Sequence, residues 1–240
     1  MLKSKQGTGF LSQISKYLSR GLILVLLVFL KTSSKADSIP EIVAKAKPAV
    51  VEIVTKDATD APKTLGTGFF VSPDGLVVTN QHVIEGAHSI TAVSNKGALF
   101  LFERVAAQPA GVDLVVLKFH ASDVPFLRLG ESTVAVEGQK VIMIGNPTGL
   151  MGTVSDGIIS AFRKKRSLIQ ITAPVSPGSS GSPVMDEEGR VIGVATLQRV
   201  EGQNLNFVIA VEESVCSSKC GGLFCQWISL SWQTRLHQGD

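Results

Sequence analysis

The chain has 240 residues, with 23 Lys and Arg against 20 Asp and Glu, for a formal net charge of +3. Hydrophobic residues make up 44% and charged residues 18%, a globular composition that excludes disordered and collagen-like chains. The positive balance is local: residues 1–36 carry Lys3, Lys5, Lys16, Arg20, Lys31 and Lys35 and no acid, which leaves residues 37–240 with 17 basic and 20 acidic side chains, a net of −3. An acidic chain with few aromatics suits neither phosphate backbones nor stacked bases, so nucleic-acid binding is not expected.

Residues 1–36 read as a secretory signal. A basic, Ser-rich stretch to Arg20 precedes the apolar run Gly21 to Leu30, and Ser34-Lys35-Ala36 then has the small-x-small spacing of a cleavage site after Ala36. A membrane-crossing helix needs about 20 apolar residues. This run is half that length, so a cleaved signal is expected and a short membrane anchor is the alternative. The expected location is extracytoplasmic, first of all periplasmic, with membrane contact only through residues 1–36 if they are retained.

Downstream, Ser38-Ile39-Pro40-Glu41 has capping-box spacing and predicts a short helix that Pro48 ends. Short β-branched runs separated by turn residues follow. The predicted strands are Val50–Thr55, Gly66–Val71, Leu76–Thr79, Ser89–Ser94, Leu99–Ala106 and Leu114–Phe119. Six more are Lys140–Ile144, Val154–Phe162, Ser167–Thr172, Pro183–Met185, Arg190–Leu197 and Asn206–Val211. Ser72-Pro73-Asp74-Gly75, Ser94-Asn95-Lys96-Gly97 and Asp186-Glu187-Glu188-Gly189 mark turns between them. About a dozen strands without alternating helices indicate an all-β sandwich or barrel. No repeat of fixed period is visible. One domain is expected over residues 37–215, and the tail 216–240 stays unassigned, with a packed helix as the default.

That tail holds all three cysteines, Cys216, Cys220 and Cys225. One disulfide with a spare thiol is possible chemistry outside the cytoplasm. The spacing matches no strong zinc pattern, so neither a metal nor a cofactor is expected. Arg163-Lys164-Lys165-Arg166 is the one basic cluster of residues 37–240 and reads first as a solvated hairpin turn.

Of four histidines, His82 is distinguished by context: Thr79-Asn80-Gln81-His82-Val83 follows an apolar strand, where a rigid element fixes an imidazole. Asp113, directly before the apolar run Leu114–Leu117, reads either as a turn cap or as a carboxylate holding one histidine nitrogen. Ser176-Pro177-Gly178-Ser179-Ser180-Gly181-Ser182-Pro183 lies between apolar strands, a poor place for a flexible linker. Gly178 permits angles that turn consecutive N–H groups toward one cavity, as an oxyanion hole requires. A serine there becomes a nucleophile once a base removes its proton. The order His82, Asp113, Ser180 is that of chymotrypsin-type proteases, whereas an α/β-hydrolase runs Ser, Asp, His and closes its Gly-x-Ser-x-Gly with a glycine where this chain has Ser182.

With those residues in place, the sequence resembles the HtrA/Deg branch of trypsin-like serine peptidases. The matching stretches are 66–75, 79–83, 113–117, Gly145-Asn146-Pro147-Thr148-Gly149 and 177–183, in the family's order. The resemblance implies two six-stranded β-barrels with the active site in the cleft between them. It implies His82 as general base, Asp113 as its orienter, Ser180 as nucleophile, and the N–H groups of Gly178, Ser179 and Ser180 as the oxyanion hole. A pocket wall from Gln203 and Asn204 through Leu205, Asn206, Phe207 and Val208, lacking an acidic residue, implies small or medium apolar side chains before the cut.

The chain departs from the family at Ser176, Ser179 and Ser182, where members often read Asn-Pro-Gly-Asn-Ser-Gly-Gly. The segment between Asp113 and Ser180 is compact, and the residues after 213 are too few for a PDZ domain. The first aromatic after Ala36 is Phe69, which leaves monomer and trimer both open. The expected function is an exported serine endopeptidase acting on peptide bonds of misfolded or unfolded protein. A non-catalytic peptide-binding or chaperone module is the alternative, and an esterase on the same scaffold is a third.

Overall fold

The computed structural model describes residues 37–196 and 205–212. Helix α1 (Ile39–Ala46) begins where the sequence places it: the Glu41 carboxylate accepts both the N–H and the hydroxyl of Ser38, each at 2.7 Å. Pro48 falls in the single 3₁₀ turn Lys47–Ala49 that ends the helical segment.

Twelve strands follow among the described residues. The first six are β1 (Val50–Lys56), β2 (Pro62–Phe70), β3 (Leu76–Thr79), β4 (Ser89–Ser94), β5 (Leu99–Ala107) and β6 (Val115–Phe119). They close into an antiparallel barrel of order β1-β2-β3-β6-β5-β4. The second six are β7 (Lys140–Gly145), β8 (Thr153–Arg163), β9 (Leu168–Ile171), β10 (Pro183–Met185), β11 (Val191–Thr196) and β12 (Asn206–Ala210). These close in the same relative order, β7-β8-β9-β12-β11-β10. The all-β, double six-stranded architecture agrees with the trypsin-like fold that the sequence implies.

Alternation along each strand explains the unbroken apolar runs. Val51, Ile53, Val115, Leu117 and Phe119 fill the first barrel, while their neighbours Val50, Leu114 and Val116 pack in a cluster between the barrels. Likewise Val141 and Met143 fill the second barrel, and Ile142 and Ile144 join the shared cluster. A strand buried on both faces has no polar side to show, so its sequence reads as a continuous hydrophobic stretch.

Most strand boundaries fall within a residue or two of expectation, and β2 is the exception. It begins four residues before Gly66 because Pro62–Leu65 continue the pairing with β1. The connecting turn is held by Asp57, whose Oδ1 accepts the N–H groups of Thr59 and Ala61. The expected signal, the cysteines and the tail lie outside the described residues.

Candidate active site

The register of the first barrel brings the first two candidates together. Thr79, at the end of β3, pairs with Val115 at the start of β6. Three residues past Thr79 is His82, on the single helical turn α2 (Gln81–Ile84), and two residues before Val115 is Asp113. Their carboxylate and imidazole meet: His82 Nδ1 lies 2.7 Å from Asp113 Oδ2, and the His82 backbone N–H donates to Oδ1 at 3.0 Å. The loop is pinned further by Asn80, fully buried, whose Nδ2 donates to the Asp113 carbonyl at 2.8 Å. Thr196, at the end of β11 in the other barrel, donates its hydroxyl to Asp113 Oδ2 at 3.2 Å.

Burial acts most strongly on the Asp113 carboxyl and pushes its pKa up. The His82 ring, the His82 N–H, the His82 charge and the Thr196 hydroxyl together outweigh that, so the pKa falls below the ordinary aspartate value. The group stays an acceptor, and a carboxylate beside Nδ1 keeps the hydrogen on that nitrogen.

The Ser180 loop reaches this corner from the second barrel. Gly178 has φ +89°, and the Ser179 N–H donates to the Ser176 carbonyl at 2.9 Å, which closes a tight turn over Ser176–Ser179. A Cβ at position 178 would lie 2.7 Å from the Asn146 carbonyl oxygen and 2.8 Å from the Thr148 nitrogen, so only glycine fits. The three N–H groups of the expected donor set differ in their partners. Ser179 spends its N–H inside the loop, whereas the N–H groups of Gly178 and Ser180 have no partner among the described residues.

Of the three serines, Ser182 is fully buried against Gly145, and the Ser179 hydroxyl faces the Ser176 N–H at 3.5 Å. Ser180 is 6% exposed, and its carbonyl accepts the Thr67 N–H at 2.8 Å. No hydrogen bond joins Ser180 Oγ to His82; catalytic hydrogen bonds of this kind tighten when substrate binds.

Among the pocket candidates, Val208 is fully buried in the core of the second barrel and Phe207 packs in the cluster between barrels, while Leu205 and Asn206 are partly exposed. Gln203 and Asn204 lie outside the described residues. His88 and His120 stand elsewhere: the His88 N–H donates to the Lys56 carbonyl, and His120 Nδ1 is 3.8 Å from Glu103. No group of three or more His, Cys, Asp or Glu side chains among the described residues could hold a metal ion.

Sequence reasoning missed Thr67, Thr79, Asn146 and Thr196 as parts of the site. Their contacts span 12 to 111 residues, and a threonine near a strand end carries no local signal of them.

Paired barrels with a His–Asp pair at their junction define a class of hydrolase folds. The family described as "Trypsin-like peptidase domain" matches residues 66–194, more than half of the chain, and the chain belongs to that family. Its relatives are of the HtrA/DegP type. One, from Chlamydia trachomatis serovar D and named "Probable periplasmic serine endoprotease DegP-like", is 42% identical over 138 residues, covering 55% of this chain and 28% of the relative. A Brucella suis protein of the same name is 33% identical over 189 residues, covering 72% of this chain and 37% of its own. Among solved structures, the serine endoprotease from Yersinia pestis superposes with a TM-score of 0.67 at 30% identity, over 75% of this chain and 65% of that one. The HtrA-type protease AlgW with a tripeptide gives 0.65 at 31% identity, over 73% and 60%. The chain spans about a third of the length of the curated relatives it matches.

Proposed function

We propose that the chain is an exported serine endopeptidase that cleaves peptide bonds of misfolded or unfolded proteins through His82, Asp113 and Ser180. The observation that carries this reading is the 2.7 Å contact between His82 Nδ1 and Asp113 Oδ2, made at the edge of the junction that also holds the Ser180 loop. With the hydrogen on Nδ1, His82 Nε2 is free to take the proton of Ser180 Oγ as that oxygen attacks the scissile carbonyl. Negative charge then develops on the carbonyl oxygen, and the Gly178 and Ser180 N–H groups are the donors left to receive it. His82 returns the proton to the leaving amine. Water, deprotonated by the same nitrogen, hydrolyses the acyl-enzyme, and Ser180 is regenerated. Asp113 orients the ring and stabilises the imidazolium without being protonated itself.

Export is supported by the basic and apolar organisation of residues 1–36 and by the word "periplasmic" in the names of the relatives. A peptide substrate agrees with the tripeptide that accompanies AlgW in its solved structure. The absence of an acidic residue over 203–208 supports small or medium apolar residues before the cut.

The test is fluorophosphonate labelling with casein cleavage, comparing the wild-type protein with Ser180→Ala. Label and cleavage in the wild type and neither in the variant are expected, a loss of many orders of magnitude in rate. Label that persists in Ser180→Ala refutes the nucleophile. A folded wild-type protein that neither labels nor cleaves favours the non-catalytic binding module.

A further inference from the structure

One residue of the first barrel holds the nucleophile loop of the second. Thr67, on β2, is fully buried and uses every polar group it has. Its N–H donates to the Ser180 carbonyl at 2.8 Å, and its hydroxyl donates to the Gly178 carbonyl at 2.8 Å. The hydroxyl in turn accepts the Asn146 N–H at 3.0 Å, and the Thr67 carbonyl accepts the Thr79 hydroxyl at 2.7 Å. The two carbonyls flanking Ser179 are therefore fixed by the same residue, and through Thr79 that residue is tied to the strand that leads to His82.

Because a peptide unit is planar and trans, fixing its carbonyl fixes the N–H on the opposite side. The Gly178–Ser179 peptide is gripped at both ends, by the Thr67 hydroxyl at the carbonyl and by the Ser176 carbonyl at the N–H. The preceding peptide is held by the Thr148 N–H, which donates to the Pro177 carbonyl at 3.0 Å. With both neighbouring peptides held, the Gly178 N–H has one direction available.

We propose that the Thr67 hydroxyl is a positioning group of the oxyanion turn, holding the Gly178–Ser179 peptide so that the Gly178 N–H keeps its direction; the Ser180 N–H is held in turn by the Ser182 N–H, which donates to the Ser179 carbonyl at 3.0 Å. This inference rests on the peptidase reading above. Without the hydroxyl, the Gly178 carbonyl loses its partner, and so does the buried Asn146 N–H, so the turn gains a reason to rotate. Loss of one oxyanion donor costs about 10²–10³ in kcat. Loosening the turn without deleting a donor costs less, of order 10- to 100-fold.

The experiment compares Thr67→Val, which keeps the shape and removes the hydroxyl, with Thr67→Ser, which keeps the hydroxyl. Kinetics are normalised to folded protein, and amide hydrogen exchange is followed over residues 176–180. Thr67→Val is expected to lose roughly 10- to 100-fold in kcat with KM changed less than about threefold, and to exchange faster at Ser179. Thr67→Ser is expected to stay within about threefold of the wild type in kcat and to keep its protection. Thr67→Cys, which fills the site with a weak donor, replaces the valine variant if the latter does not fold, and the same directions are expected.

An unchanged kcat per folded molecule in the variant, or unchanged exchange at Ser179, overturns the proposal. So does a serine variant as impaired as the valine one. A wild-type protein without label or cleavage refutes the peptidase reading, whereas the exchange measurement judges the clamp independently of turnover.

Discussion

Gly181 follows Ser180, the proposed nucleophile, and its replacement by alanine separates two effects that are usually merged. Its φ is +88°, where a side chain costs roughly 1–2 kcal/mol. Space is the second effect. A Cβ at 181 would overlap the Thr67 carbonyl oxygen and the Thr79 hydroxyl, and the first of these is backbone within a paired strand. Relief requires β2 or the loop to shift, an overpacking cost of about 1–3 kcal/mol. Together the two come to roughly 2–5 kcal/mol, and at about 2–4 °C per kcal/mol for a chain of this size the expected fall in Tm is of order 5–20 °C. Gly97 supplies the control, since it has φ +80° and nothing within 4 Å of an added Cβ. Gly97→Ala meets only the conformational cost, about 1–2 kcal/mol, and is expected to melt within about 2–8 °C of the wild type. Paired thermal denaturation of the two variants, with peptidase activity measured well below both midpoints, is the assay. Gly181→Ala is expected to lose activity as Ser180 moves with the strained loop, and Gly97→Ala to keep it. Equal melting shifts for the two variants would refute the steric argument. So would full activity in Gly181→Ala.

Two further predictions concern polar groups of the site. The Ser182 hydroxyl is buried without a partner, so Ser182→Ala removes an unsatisfied group and is expected to leave stability unchanged or raise it by about 1 kcal/mol, with activity retained. Chemical denaturation showing a loss above that size would mean that the hydroxyl has a partner. Asp113 has its folded-state pKa lowered, so the native protein binds this proton more weakly than the unfolded chain does. Its stabilising contribution is complete above the unfolded value of about 3.9 and is lost as pH falls through the folded value. The stability gap between the wild type and Asp113→Asn, followed by melting across pH 7 to 3, is expected to narrow only below about pH 4. A gap that widens toward acid would contradict the sign.

What the sequence disclosed depends on how far apart the interacting parts lie along the chain. Leu76–Thr79, Ser89–Ser94 and Pro183–Met185 have the boundaries expected from their composition, because each is short and flanked by turn residues. His82 and Asp113 stood out for the same local reason: each adjoins a strand, and Thr79 paired with Val115 then makes their contact a matter of counting residues. The bond from the Ser179 N–H to the Ser176 carbonyl was not legible because the direction of a backbone donor follows the turn type, and the positive φ of Gly178 is permitted by its sequence but not required by it. Thr196 and Thr67 escaped because their partners are 83 and 111 residues away.

The repeated strand order escaped for a deeper reason. β1-β2-β3-β6-β5-β4 and β7-β8-β9-β12-β11-β10 are one topology used twice, yet no repeat of fixed period is visible in the sequence. A barrel asks only that alternate residues be apolar and that turns fall at its rim, so two unrelated sequences can satisfy it with different loop lengths. Chemistry is less permissive, because a base, an orienting carboxylate and a nucleophile can each be supplied by few side chains. The proposed reacting groups were therefore legible as residue types. Their supports, hydroxyls and peptide groups of common residues, became legible only once the two barrels were brought together.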